Sequence, residues 1–228
     1  VLADVIIHQR SATCETRNGF CPDWIASHWT NYLHPLWQHL QLVLVSVALG
    51  FVIAFLLAIV AHRRRWLVGP ITGVTGILYT IPSIALFTIL LPITGFGFVT
   101  AIIALTSYTL LIIFRNVVTG LANVPEDAQD AARGMGLTDR QRLWKVEVPL
   151  AMPEIFAGLR IATTTTVGLA ALAFFAGAGG LGAQLMTDIN FKSNIVLAGG
   201  LCVVLAVVLD GLLLLVERLT VRWEFEAR

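Results

Sequence analysis

The chain has 228 residues, of which 57% are hydrophobic and only 13% charged, and its formal net charge is +1. A soluble domain carries about 25% charged residues, so the composition excludes an ordinary water-soluble fold and points to an all-α integral membrane protein. No stretch is basic and aromatic enough to serve as a nucleic-acid surface.

Residues 1–35 form a polar to amphipathic N-terminal segment containing His8, Arg10, Arg17, Asp23 and His28. The segment does not read as a cleaved signal peptide. Apolar runs longer than roughly 18 residues then mark about five transmembrane helices. The first is expected over Leu36 to Ala61 and ends at His62-Arg63-Arg64-Arg65. The second is expected over Leu67 to Leu91 and the third over Phe98 to Val118. A charged stretch, Pro125 to Pro149, separates them from a fourth run over Ile155 to Phe175 and a fifth over Ile195 to Val216. Residues 221–228 form a short tail.

Lys and Arg set the orientation. Arg63, Arg64 and Arg65, then Arg133, Arg140, Arg142 and Lys145, then Arg218, Arg222 and Arg228 fall on one side of a five-span chain. Arg10, Arg17 and Lys192 fall on the other. The bias places the charged stretch and the C-terminus in the cytoplasm and the N-terminus outside, in a multi-pass cell-membrane protein.

The spans are not uniform anchors. Gly69, Gly73 and Gly76 approach the small-xxx-small spacing that lets helices pack closely. Pro82 removes a backbone hydrogen bond inside a span, so a neighbour or water must satisfy the freed carbonyl. Thr163 to Thr166 place four hydroxyls around one helical turn. Either they bond back to their own helix, or some of them, Thr163, Thr164 and Thr166 among them, line a polar route. Asp210 lies within the fifth run, where an acid needs a partner or a role in transport. Arg115 and Arg160 are its candidate partners.

Cys14 and Cys21 fall outside, where a disulfide can persist, and their short spacing makes them a candidate bridge. His8, Cys14, Cys21 and His28 match no familiar zinc spacing, so no metal site is expected. Cys202 reads as a small buried residue. The two lysines, Lys145 and Lys192, lie in no G-K-[ST] motif, so the chain has no P-loop of its own. All five histidines stand at or before position 62, so none is expected beside the charged stretch. Energy for uphill movement must therefore come from an ion gradient or from another subunit.

The charged stretch itself reads as helix–turn–helix. Pro125 opens a helix, with Glu126, Asp127 and Asp130 suiting its positive end. Ala128, Ala131 and Ala132 give a small-residue face for close docking on another protein. Gly134 and Gly136 supply the turn. Leu137, Leu143, Trp144 and Val148 form an apolar stripe, and Pro149 ends the second helix. By composition alone the stretch is equally an amphipathic connector lying on the membrane.

Asp130-Ala131-Ala132, three residues, Gly136, nine residues, then Val146-Glu147-Val148-Pro149 resembles the EAA loop of ABC-importer permeases, E-A-A-x3-G-x9-I-x-L-P. Asp130, Val146 and Val148 are mild departures. Tyr79-Thr80-Ile81-Pro82-Ser83, Ala132-Arg133-Gly134-Met135-Gly136, Pro149-Leu150-Ala151-Met152-Pro153 and Gly177-Ala178-Gly179-Gly180-Leu181-Gly182 are similar to the osmoprotectant branch, permeases for glycine betaine, carnitine, choline or proline. The likeness covers roughly residues 36–220, which it identifies as a type I importer transmembrane domain.

The resemblance implies a coupling helix over 125–149 seated in a cytoplasmic ATP-binding subunit, with ATP and Mg held there and no cofactor in this chain. Asp130, Ala131, Ala132, Arg133, Gly134, Gly136 and Pro149 become the ATPase-coupling residues, with Asp130 and Arg133 as polar contacts. It also implies an extracytoplasmic substrate-binding protein and a second permease chain, identical or sister, in the lipid bilayer. An aromatic cage for a quaternary ammonium is expected in that binding protein. Tyr79, Tyr108, Phe87 and Phe114 would give weaker contacts along a path that includes Pro82. The competing readings are a gradient-driven carrier or channel subunit, a permease for another amino-acid-like solute, and a membrane scaffold.

Overall fold

In a computed structural model of the chain, the structure describes Cys14 and residues 18–221. His8, Arg10, Arg17, Arg222 and Arg228 lie outside the described residues. Among the described residues ten α-helices of four residues or more carry the fold, with shorter turns between them. They are α1 (Pro22–His28), α2 (Leu33–Arg63), α3 (Val68–Thr80), α4 (Ser83–Thr94) and α5 (Phe98–Ala122), then α6 (Glu126–Gly134), α7 (Asp139–Arg142), α8 (Met152–Ala170), α9 (Gly180–Thr187) and α10 (Lys192–Thr220). Among the described residues there is no strand.

Three stretches are long and apolar enough to cross a membrane: Pro22–Arg63, Phe98–Ala122 and Lys192–Thr220. The second run expected from the sequence is not continuous. It breaks into α3 and α4, a bent pair that makes a fourth crossing if counted as one span. The cause is local. Ile81, ahead of Pro82, is extended (φ −65, ψ 128), because the proline ring excludes the helical conformation from the residue before it. The fourth expected span is α8, where Glu154, Arg160 and Thr163 to Thr166 lower the apolarity below that of the other three.

The described residues pack as two compact units. One comprises residues up to Val45, Ser83–Ala104 and Val167–Val207. Its core holds Tyr32, Leu181 and Ala198, with Trp24, Leu36 and Leu185 against them. Cys14 is bonded to Cys21 through a disulfide, with Cα atoms 6.0 Å apart. The Cys21 N–H donates to Ser193 Oγ at 2.6 Å, and Ser193 Oγ–H donates to the Gly19 carbonyl at 3.3 Å. The N-terminal segment is thus fastened to the first turn of α10.

The other unit comprises Ser46–Pro82, Leu105–Thr166 and the residues from Val208. Its core is a small-residue stripe on α2, Ala54, Ala58 and Ala61, all fully buried with Ile113, Phe114 and Val117 of α5. Gly50 extends the stripe, and a Cβ there would lie 1.8 Å from Thr109 Oγ1. Small residues four and three apart let two backbones approach closely. Gly69, Gly73 and Gly76 do not make such a contact within this chain, since a Cβ there would meet nothing within 4 Å. Close approach recurs at Gly158, where a Cβ would stand 2.5 Å from Asn116 Cβ.

Gly158→Val should therefore overpack the contact of α8 with Asn116 and cost about 1–3 kcal/mol. Gly199→Ala, at an open helical position, should leave stability unchanged or slightly raised. Thermal midpoints of the purified chain in detergent check the contrast.

Candidate coupling site

The charged stretch folds as two capped helices joined by residues 135–138. Pro125 is the residue before α6 rather than its first helical one, and Glu126 and Asp127 occupy the first turn. Gln129 Nε2–H donates to the Val124 carbonyl at 3.1 Å. At the far end the Gly136 N–H donates to Arg133 O (2.9 Å) and the Leu137 N–H to Ala132 O (3.1 Å). This is a Schellman closure, and it needs a left-handed residue. Gly136 supplies it at φ +76. No neighbour crowds Gly136, so the backbone angle, not space, demands glycine. Two residues later a new helix starts. Thr138 Oγ1 accepts the Gln141 N–H, and Gln141 Oε1 accepts the Thr138 N–H at 2.9 Å, a reciprocal capping box.

Leu143–Glu147 then forms a π turn, a wider turn that recurs at functional positions. It delivers the Glu147 side chain inward, 2% exposed. Glu147 Oε1 accepts from Arg142 Nε at 2.8 Å, and Oε2 accepts from His62 Nε2 at 2.8 Å. Arg142 also reaches Asp139 at 3.1 Å. Its hydrogen bond to Glu147 pushes the guanidinium further above its ordinary range. The carboxylate thus joins the last turn of α2 to the second half of the charged stretch. This corrects the expectation that no histidine accompanies the stretch, since His62 is adjacent in space though 85 residues away in sequence.

The other anticipated residues divide clearly. Asp130 and Arg133 pair with each other at 2.9 Å on an exposed surface, so neither is a free polar contact in this chain. Ala132 is fully buried within its own chain, and Ala128 is half-buried, so only Ala131 of the expected small-residue face is exposed. Gly134 and Gly136 are exposed. Pro149 is exposed and lies second in the helical turn Val148–Leu150 instead of ending a helix. Met135 projects from the turn with 73% exposure.

Within the helices, Asp210 receives a two-pronged bond from Arg160, Nε to Oδ1 at 2.8 Å and Nη2 to Oδ2 at 2.9 Å. Glu217 stands 3.7 Å from the same guanidinium. Arg115, the other candidate partner, is exposed. The Thr163, Thr164 and Thr166 hydroxyls donate to Leu159 O, Arg160 O and Ala162 O at 2.8, 3.0 and 2.6 Å. In this chain they are satisfied by their own helix. Tyr108 Oη–H donates to Ile81 O at 2.6 Å, so it satisfies a carbonyl at the Pro82 break, and Tyr79 meets its ring edge-on at 6.0 Å. Phe87 and Phe114 are fully buried packing residues.

Sequence reasoning missed Glu147, His62, Arg142, Thr138 and Met135. A signal was present for Glu147, a single acid in the apolar run Val146 to Leu150. Thr138 and Gln141, three residues apart before Leu143, also carry the capping-box pattern.

The described residues thus form an apolar helical chain in which a capped, charged helix–turn–helix is tied to a long apolar helix. Comparison with known proteins narrows this. Residues 46–222 match the family described as binding-protein-dependent transport system inner membrane component. The chain belongs to that family and is a permease subunit of an ABC importer. It is 42% identical to the osmoprotectant import permease protein OsmW of Salmonella typhimurium over 183 residues, 77% of this chain and 85% of the relative. It is 36% identical to the choline transport system permease protein OpuBB of Bacillus subtilis, covering 82% and 87% of the two chains. Among solved structures it is similar to the MetNI methionine ABC transporter in an inward-facing conformation. That match has a TM-score of 0.70 and 27% identity, and covers 84% of this chain and 94% of that one.

Arg142→Met would leave a buried carboxylate held by His62 alone and should cost about 3 kcal/mol, the low end for a broken buried pair. Glu147→Gln keeps hydrogen-bonding atoms in place and should cost about 1 kcal/mol. Thermal unfolding of the two variants in one detergent should give this order.

Proposed function

We propose that this chain is the membrane-spanning subunit of an ATP-driven importer for a small osmoprotectant such as glycine betaine, choline, carnitine or proline. A separate cytoplasmic ATPase supplies the energy and holds ATP and Mg. An external binding protein delivers the solute. A second permease chain, identical or sister, completes the path, with the N-terminus outside and the charged stretch in the cytoplasm.

The observation that carries this reading is the tie through Glu147. A loop that transmits force must be stiff and must be attached to what it moves. The stop at Gly136 and the start at Thr138 fix the loop's shape, and Glu147 fastens it to α2 through His62. Met135 and the exposed Gly134 and Gly136 give the apex that seats in the ATPase. The substrate class is supported by the relatives named above. The Arg160–Asp210 pair supports a structural role for the intramembrane acid, which weighs against a gradient-driven carrier using Asp210 as its relay.

The chain, purified in mild detergent from its native membrane, should bring a P-loop ATPase with it. Gly136→Trp and Met135→Glu should each lower recovery of that subunit at least tenfold while the chain stays folded. Betaine, choline, carnitine and proline would then be compared for stimulated ATP turnover. No ATPase at any detergent strength would overturn the reading.

A further inference from the structure

We infer that Trp29 and Leu33, with Phe20 beside them, form the surface on which the external binding protein docks. The inference rests on the importer reading above, which puts the N-terminus outside, and names where this chain meets that partner. The three residues lie within the unit that contains the N-terminal segment.

The exposed side chains of α2 act as a ruler for the membrane. Every exposed residue from Leu44 to Val60 is apolar. Gln41, exposed, and His62, half-buried, bracket this run. The rise from Gln41 to His62 is about 31 Å, at ~1.5 Å per residue. The hydrocarbon core of a bilayer is about 30 Å thick, and about 40–45 Å with its headgroups. Trp37, 57% exposed, then falls among the outer headgroups. Trp66, 70% exposed, falls among the inner ones beside Arg63, Arg64 and Arg65. Tryptophan gathers at those two levels.

Leu33 stands beyond Trp37, about 12 Å outside the core by the same rise. Trp29 is farther out, at the start of the 3-10 helix Trp29–Tyr32. The headgroup layer is only about 5–8 Å deep on each side, so lipid covers neither. Yet Trp29 is 51% exposed, Leu33 49% and Phe20 56%. Apolar side chains grouped in water mark a contact for another protein.

The patch is also held still. The Cys14–Cys21 bridge closes the loop that carries Phe20. The Cys21 N–H donates to Ser193 Oγ and the Tyr32 hydroxyl to Asn194 Oδ1, so two adjacent residues of α10 keep that loop at the level of Leu33. A surface fixed in advance loses little freedom on binding.

The partner follows from position and charge. The family is described as binding-protein-dependent, and the ruler puts this patch on the outer side. From residue 18 to residue 61 Asp23 is the only charged side chain apart from histidines, so docking here is apolar contact and not ion pairing. The patch precedes the family-matched residues 46–222, so this chain's own N-terminal segment supplies it.

The test uses the permease–ATPase complex in nanodiscs. The probe is the purified binding protein that raises its ATP turnover when betaine, choline, carnitine or proline is present. Trp29→Ser combined with Leu33→Ser should weaken docking at least tenfold and barely move the thermal midpoint, because both side chains are half exposed. Trp37→Ser should leave docking within about twofold. A tenfold rise in salt should leave wild-type docking within about twofold as well, since few charges are there to screen. In a Cys202→Ser background, a spin label on Trp29→Cys should be open to a water-soluble relaxant and become shielded when the binding protein is added. Docking unchanged by the double variant would overturn the surface and leave the importer reading intact. So would a label already shielded, by lipid or by a second permease chain, before the binding protein is added. If no binding protein raises the ATP turnover of the complex, the importer reading falls and this surface with it.

Discussion

One buried carboxylate ties the charged stretch of this chain to its long second helix. Glu147 is taken from water by a π turn and compensated by Arg142 on one oxygen and His62 on the other. Burying an acid is costly unless both oxygens find donors, so the arrangement is close to all-or-none. If α2 shifts from its neighbour, Glu147 loses a partner that water cannot easily replace. The end of the long helix and the second half of the charged stretch therefore move together or pay a penalty. The caps on either side of Leu137 serve the same end, because they leave little slack between the exposed turn and the buried tie.

Much of this was legible in the sequence, and the parts that were not share a cause. The helical class, the apolar runs and the charged stretch follow from composition and hydropathy. The spacing from Asp130 to Pro149 was enough to bring out the resemblance to the family to which the chain belongs. Contacts between residues far apart in sequence were not legible. Nothing in the order of residues says that His62 meets Glu147, and the π turn that aims Glu147 inward has no signature in propensity. Asp130 and Arg133 look like partners for another molecule when read singly, but three residues apart on a helix they reach each other. Asp210 posed the opposite case. Its need for a cation was readable, and the choice of Arg160 over Arg115 was geometric.

The glycines show that the stripe used inside a chain need not be the one whose spacing stands out in the sequence. Close helix contact does depend on small residues, but it occurs along Gly50, Ala54, Ala58 and Ala61 of α2. Gly69 and Gly73 of α3 lie on an open face. A sequence pattern can show that a stripe permits close approach. It cannot show which stripe is used within the chain and which is left for another surface.

The fastening of the N-terminal segment has a consequence for how the molecule is made. The Cys14–Cys21 loop is local and can close soon after its residues emerge. Its anchor, Ser193, lies 172 residues beyond Cys21 and emerges much later. Contacts of such long sequence separation form late, because much chain must be ordered before they are made. The segment around Cys21 is thus made early and placed late, and Trp24 meets Phe191 edge-on only once the start of α10 has been made.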